Sequence, residues 1–330
     1  MNLAIFSTKP YDKEYFEKFK KEYNLKITYY ETSLQPNTAK LTKDFEVVCV
    51  FVNDTIDKKT INSIAKNGVK LIALRCAGFN NVDLEACEKN NIKVVRVPAY
   101  SPEAVAEHAM ALILTLNRKT HKAYNRVREG NFSLTNLIGF NLNKKVVGVV
   151  GTGKIGAAFC NIAKGFGCEV LAYDINKSEQ LEEKGVQYVS LDELFNKSDV
   201  ISLHCPLNEH TKHIVDKNSI AKMKKGVLLV NTSRGALINT KDVIAGLKSK
   251  KIAFLGIDVY EQEENLFFND LSESIIKDDL LMRLNSFPNV LITSHQAFFT
   301  KEAMTEITTT TLNNIQEFIN NEELTNEVKL

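Results

Sequence analysis

The stretch Lys145–Asp174, KVVGVVGTGKIGAAFCNIAKGFGCEVLAYD, limits the possible folds more tightly than any other part of the chain. An apolar run, Val146–Val150, meets Gly151-x-Gly153-x-x-Gly156, which opens a helix of small and apolar residues. A second apolar run, Val170–Tyr173, ends in Asp174. Strand, glycine turn, helix, strand and acid is the order a dinucleotide site requires. Gly151 permits the tight turn, Gly153 lets the backbone approach a pyrophosphate, and Gly156 lets the helix pack closely on the strand. The anion then rests on the helix N-terminus, where free N–H groups and the macrodipole favour negative charge. Asp174, 23 residues after Gly151, is placed to accept hydrogen bonds from ribose hydroxyls. A carboxylate there repels a 2′-phosphate, so the expected cofactor is NAD rather than NADP.

The first hundred residues alternate in the same way. Strand-like runs fall at Leu3–Phe6, Lys26–Tyr30, Val47–Val52, Leu71–Cys76 and Val94–Val97, with amphipathic segments such as Asp12–Tyr23, Lys58–Asn67 and Asp83–Lys89 between them. Such alternation predicts parallel sheets covered by helices on both faces, an α/β fold. Length fits two domains of ordinary size. Ser101, as N-cap, and Pro102, at the first helical position, predict one long helix running to about Arg128. It is rich in Ala, Leu and Met and suits a hinge or a subunit interface. The net charge of +2 argues against an extended nucleic-acid or membrane surface. No apolar run approaches the length of about 20 residues that spans a membrane, and no signal peptide is expected, because Met1-Asn2-Leu3 runs straight into a strand-like segment. The six cysteines form no C-x-x-C and mostly lie in apolar surroundings, which predicts reduced core thiols and a cytoplasmic protein.

Beyond Asp174 each later strand closes on polar residues. Ser198–Leu203 leads to His204-Cys205-Pro206, Gly226–Val230 to Asn231-Thr232-Ser233-Arg234-Gly235, Ala253–Ile257 to Asp258-Val259-Tyr260-Glu261, and Val290–Ile292 to Ser294-His295-Gln296. Ligands bind at the carboxyl ends of such strands, and Arg234, Glu263 and His295 all lie just beyond them. Reduction of a keto acid by NADH needs the chemistry these three supply. Arg holds a carboxylate through a two-pronged donor geometry. His donates a proton to the carbonyl oxygen near neutral pH. Glu orients the His and favours its protonated form. Singly, each has an ordinary structural reading: a helix cap, one more exposed acid in the run Glu261–Glu264, a satisfied loop residue.

Several ordered segments carry a resemblance: Arg75–Asp83 (RCAGFNNVD), Val97–His108 (VPAYSPEAVAEH), Gly151–Gly156, Asn231–Ala236, Gly256–Glu261 and Ser294–Ala297. With these, nearly the whole chain resembles the D-isomer-specific 2-hydroxyacid dehydrogenase family, most closely its fermentative D-lactate-forming branch. The resemblance implies a Rossmann-type NAD domain, residues 101–298, inserted in a flavodoxin-like substrate domain, residues 1–100 and 299–330. The active site is then expected in the cleft between them. It places the family's Arg, Glu and His on Arg234, Glu263 and His295. Cofactor contacts are implied at Gly151, Gly153, Lys154, Ile155, Gly156, Asp174, Cys205, Pro206, Thr232, Ser233, Arg234 and Asp258. Substrate-side positions are implied at Phe51, Ala77, Gly78, Tyr100, Arg234, His295 and Phe298. Phe298-Phe299 departs from relatives that carry tyrosine there, and Phe51 stands where relatives accepting larger acids carry a smaller aliphatic residue. The implied reaction interconverts pyruvate and D-lactate in a homodimer or homotetramer assembled through the cofactor domain. A wider action on larger 2-keto acids, or an NAD-responsive binding protein, are the alternatives.

His204, His210 and His213 cluster, and His210-x-x-His213 has helical metal spacing, but no cysteine or carboxylate pair completes a ligand set. No metal is expected. The charged runs Lys13–Lys21, Glu179–Lys184 and Lys248–Lys251 read as solvated faces.

Overall fold

Strands paired in parallel and covered on both faces need unbroken apolar runs, and both sheets of this chain are built that way. The structure is a computed structural model describing residues 1–263 and 266–330. The chain divides into two units, Met1–Ser101 with Phe299–Leu330, and Pro102–Phe298.

The first unit contains β1 (Asn2–Ile5), α1 (Pro10–Phe19), β2 (Lys26–Tyr29), β3 (Val47–Val50), α2 (Lys58–Lys66), β4 (Leu71–Leu74), α3 (Leu84–Lys89) and β5 (Lys93–Arg96). Its five-stranded sheet has the order β2-β1-β3-β4-β5, all pairs parallel. That is the flavodoxin-like order. Alternate residues feed opposite cores. Ala4, Val48, Val50, Ile72 and Leu74 pack on one side, and Leu3, Ile5, Val47, Cys49, Leu71 and Ala73 on the other. The strand edges differ by a residue or two from the sequence expectation. In particular β3 stops at Val50, so Phe51 begins a loop, where its N–H donates to Asp54 Oδ2 at 2.6 Å.

The second unit begins with α4 (Pro102–Arg118) and α5 (Thr120–Arg128), followed by β6 (Val146–Val150), α6 (Lys154–Gly165), β7 (Glu169–Tyr173), α7 (Glu179–Glu183), β8 (Val186–Tyr188) and α8 (Leu191–Lys197). It continues with β9 (Val200–Leu203), α9 (Lys217–Lys222), β10 (Val227–Asn231), α10 (Thr240–Lys248), β11 (Ile252–Ile257), α11 (Asp279–Asn285) and β12 (Val290–Ile292). The chain then contributes α12 (Lys301–Ile319) to the first unit. The seven-stranded sheet runs β12-β11-β10-β9-β6-β7-β8, all parallel. This is the Rossmann order with one further strand at the edge. The order reverses between β6 and β9, the place where such sheets bind ligands.

One expectation needs correction. The helix expected from Ser101 to about Arg128 is two helices, broken at Lys119, whose φ is +51°. The composition changes at the break. α4 buries Ala106, Ala109, Leu112, Ile113 and Leu116, whereas α5 buries no residue. The following loop is tied onto the bend: Lys119 Nζ donates to Asn136 O at 2.8 Å, and Asn117 exchanges hydrogen bonds with the Phe140 backbone at 2.7 and 2.8 Å.

In the first unit, the buried Asp54 carboxylate binds together the ends of β1 and β3. It accepts from Ser7 Oγ at 2.8 Å, Leu34 N at 2.6 Å and Phe51 N at 2.6 Å. Burial raises the Asp54 pKa while those bonds work the other way. Asp54→Ala should therefore cost about 2–4 kcal/mol, less than three full unsatisfied donors because the buried charge disappears with them. Thermal unfolding should show a Tm lowered by roughly 5–15 °C. An unchanged Tm would remove this carboxylate from the account of the fold.

Candidate active site

The glycine turn follows β6 directly. Gly151 has φ +92° and its N–H donates to Tyr173 O at 2.8 Å. A Cβ on Gly156 would lie 1.9 Å from Gly151 O, so only glycine lets α6 approach the turn this closely. Gly153 is different. A Cβ there would meet nothing within 4 Å and its φ is −60°, so neither packing nor backbone strain within the protein demands glycine. It is the N-cap of α6 and no side chain caps the N–H groups that follow, the arrangement an incoming anion would use. Lys154 and Ile155 are the first residues of that helix.

Asp174, after β7, is held by its own turn. Its carboxylate accepts from Thr152 N at 2.5 Å, Thr152 Oγ1 at 3.2 Å and Asn176 N at 2.9 Å. Across the reversal point, Cys205 follows β9, and Ser233 Oγ donates to Cys205 O at 2.8 Å, joining the loops after β9 and β10. Burial pushes the Cys205 thiol up to about 11, which keeps it protonated and inert. Pro206 beside it is exposed. Thr232 is buried, and its Oγ1 has no hydrogen-bond partner among the described residues. An orphan hydroxyl at a strand end, an uncapped helix N-terminus and a glycine the protein does not itself require all fit a polar dinucleotide.

The proton-handling pair follows β11 and β12. His295 Nδ1 lies 2.8 Å from Glu263 Oε1, and Glu263 Oε2 accepts from Tyr260 N at 2.8 Å. A carboxylate only accepts, so Nδ1 carries the hydrogen and Nε2 is left as the nitrogen that exchanges a proton. His295 sits at φ +54°, a conformation that needs external support in a non-glycine residue. Asp258 supplies it. Its carbonyl accepts from His295 N at 2.7 Å, and its fully buried carboxylate accepts from Thr293 Oγ1 at 2.5 Å, Gln296 N at 2.9 Å and Ala297 N at 2.8 Å. His108 Nε2 approaches the same carboxylate at 3.4 Å. Burial works against the charge on Asp258, but the bonds from His108, Thr293, Ala297 and Gln296 prevail and hold it below the usual carboxylate range. The family resemblance implies a cofactor contact for Asp258; its hold on the His295 loop is visible only in three dimensions.

Arg234 follows β10. Its Nη1 donates to Ser233 O at 2.8 Å. Its carbonyl accepts from Asn231 Nδ2 at 2.8 Å. In the first unit, Arg96 Nη1 donates to Ala77 O at 2.8 Å, and Cys76 Sγ to Gly78 O at 3.3 Å. The Arg75 guanidinium lies 4.8 Å from the centre of the Phe51 ring. Tyr100 is half-buried. In the second unit Phe298 is buried; the adjacent Phe299, half exposed, packs edge-on to Tyr11 within the first unit.

The histidine cluster disperses. Burial pushes His204 down to about 3, and its Nε2 lies 2.9 Å from Ser202 Oγ. His213 Nε2 pairs with Glu261 at 2.6 Å. Glu261 is thus a partnered acid rather than a free surface one, and Glu264 lies outside the described residues. No group of three or more His, Cys, Asp or Glu side chains is set to hold a metal among the described residues. No helix among them is long and apolar enough to cross a membrane.

Comparison with known proteins agrees with this geometry. The family model described as D-isomer specific 2-hydroxyacid dehydrogenase, NAD binding domain, matches residues 110–297. The chain is 54% identical over 315 residues to a 2-hydroxyacid dehydrogenase homolog of Haemophilus influenzae, covering 96% of this chain and 95% of that one. It is 50% identical over 328 residues to the D-lactate dehydrogenase of Escherichia coli, covering 99% and 100%. Among solved structures, the pyruvate reductase of Chlamydomonas reinhardtii superposes with a TM-score of 0.94 at 46% identity, covering 99% and 98%. Half the residues are shared across almost entire lengths, and the matched model spans the unit built on the Gly151 turn. The chain therefore belongs to the D-isomer-specific 2-hydroxyacid dehydrogenase family, with that unit as its NAD-binding domain.

Proposed function

We propose that the chain is an NAD-dependent D-lactate dehydrogenase, reducing pyruvate to D-lactate reversibly and regenerating NAD in fermentation. The observation that carries this reading is the His295–Glu263 hydrogen bond of 2.8 Å at the strand ends of an NAD-binding domain. The N–H groups of Gly153, Lys154 and Ile155 would receive the pyrophosphate, with Gly151 and Gly156 shaping the turn and Asp174 taking the ribose hydroxyls. Cys205, Pro206, Thr232, Ser233, Arg234 and Asp258 would surround the other half of the dinucleotide. NADH, when bound, supplies the hydride. Arg234 grips the substrate carboxylate in two-pronged fashion. His295 Nε2 gives its proton to the carbonyl oxygen as that oxygen gains charge, and Glu263 keeps the ring oriented by accepting the Nδ1 hydrogen. Phe51, Ala77, Gly78, Tyr100 and Phe298 are the further substrate-side positions.

A broader 2-keto acid range is the second reading, favoured by the likeness, at 32% identity, to a structure named D-2-hydroxyisocaproate dehydrogenase. An intact Arg–Glu–His set argues against a purely NAD-responsive binding protein. We also place the protein in the cytoplasm, in keeping with cysteines that are all buried in the cores. We take it to be a homodimer or homotetramer. The exposed apolar residues Tyr124, Val127, Phe132, Leu134 and Ile138, on α5 and the loop after it, support self-association.

Cofactor choice is tested by Asp174→Ala, which should narrow the gap in kcat/KM between NADH and NADPH. Asp174→Asn, which keeps an acceptor for the Thr152 turn, controls for loss of the turn itself. An NADH preference left intact in both variants would dismiss Asp174 as the determinant.

Chain length is tested at Phe51. Pyruvate should outperform 2-ketoisocaproate, and Phe51→Leu should shrink the difference, by about 1–3 kcal/mol per pocket change and thus on a tenfold scale. A wild-type preference for the larger acid would instead favour the broader reading.

Proton handling is tested by turnover. His295→Gln should slow pyruvate reduction by about 10²–10⁴-fold with NADH binding retained, whereas Arg234→Gln should chiefly raise the pyruvate KM. Glu263→Ala leaves His295 Nδ1 without its acceptor and should lower kcat, whereas Glu263→Gln keeps an acceptor there and should lower it less. A wild-type kcat in Glu263→Ala would sink the Glu263–His295 coupling and leave the acid role of His295 standing.

A further inference from the structure

The loops that present Arg234 and Glu263 are fastened to each other by residues the reaction itself does not require. Gly235, next to Arg234, lies so close to the chain at Tyr260 that a Cβ would stand 2.1 Å from Tyr260 C and 2.4 Å from Glu261 N. The next residues are fastened from the other side. His213 N donates to Ala236 O at 2.8 Å, Val215 N to Leu237 O at 3.0 Å, and Asn239 N to Val215 O at 2.9 Å. One side chain joins the two sides. Glu261 Oε1 lies 2.6 Å from His213 Nε2, and Glu261 Oε2 accepts from Thr240 Oγ1 at 3.0 Å and from Thr240 N at 3.4 Å. Two residues on, Glu263 accepts from Tyr260 N and pairs with His295.

From this arrangement we infer that His213 and Glu261 are positioning residues, a clamp that sets where Arg234 stands relative to the Glu263–His295 pair. The inference rests on the function proposed above. Holding a helix end does not account for the contact, because α10 already has its cap in Asn239, whose side chain accepts from Asp242 N at 3.2 Å. His213 also occupies a left-handed backbone conformation, φ +54°, which a histidine keeps only where its surroundings fix it. Burial works against a charge on Glu261, but the bonds from His213 and Thr240 outweigh it and hold its pKa down, so the acceptor stays ionised. A keto acid must be gripped at its carboxylate while its carbonyl meets the acid. A small shift of the Arg234 loop is thus felt in turnover although neither clamp residue touches substrate.

The test compares His213→Ala, His213→Gln and Glu261→Ala in the full-length protein. Pyruvate kcat and KM, NADH affinity, Tm, and the affinity of the NADH-bound enzyme for oxamate, an unreactive mimic of pyruvate, are read together. His213→Ala and Glu261→Ala should each weaken oxamate binding and raise the pyruvate KM by about tenfold, with a fall in kcat, because the geometry rather than the chemistry is disturbed. NADH affinity should hold. The double variant should be no worse than Glu261→Ala alone, since that substitution already removes the contact with His213. His213→Gln, whose amide still reaches out as a donor, should recover most of the loss. If an alanine variant fails to fold, Thr240→Val, which removes one hydroxyl from Glu261, should show the same pattern in smaller measure. Wild-type pyruvate and oxamate constants in the folded variants overturn the inference, as does an equal loss of NADH binding. A wild-type protein inactive towards every 2-keto acid overturns the proposed function, and the clamp with it.

Discussion

Asp258 is the interaction on which the site depends. Its carboxylate is removed from water and accepts from Thr293, Gln296 and Ala297, with His108 of α4 alongside. Its own N–H donates to Asn231 O at 3.0 Å and its carbonyl receives His295 N. One residue thereby joins the ends of β10, β11 and β12, and it holds His295 in a backbone conformation that would otherwise drift. A buried carboxylate is costly unless every lone pair is used. Here the cost enforces geometry: any loop movement that lost a donor would leave the charge stranded.

The cofactor side follows another constraint, that of close approach. Gly151 and Gly156 are glycines because the protein packs against itself there, whereas Gly153 is one although nothing in the protein presses on it. That contrast separates the residues that build the turn from the one that leaves room for what lies on it. The orphan hydroxyl of Thr232, beyond the end of β10, points the same way.

Much of this could be read from local pattern. The parallel sheets follow from apolar runs of four to six residues such as VVCV, VLLVN and IAFLGI, and polar residues beyond strand ends drew attention to Arg234, Glu263 and His295. What escaped was long-range or too short to show a period. β8 has three residues. The break at Lys119 depends on a loop some twenty residues later folding back onto it. The partnership of His213 with Glu261 spans 48 positions, and each residue has a plain local reading: one looked like half of a metal pair, the other like a surface acid. No periodicity encodes which strand-end loops will face each other. That follows from strand order, and only the fold supplies it.

The interruption of the first unit sets an order of events during synthesis. Residues 102–298 are contiguous and can complete their own core as they emerge. The five-stranded sheet cannot. One of its faces is closed by Leu312 and Ile315 of α12, and its outer strand β5 is flanked by Arg96 N donating to Asn326 O and Val328 N to Val94 O. The first hundred residues must therefore wait, half-covered by α1, while some two hundred more are made. Their unbroken apolar strands are the part of this chain most in need of protection on the ribosome.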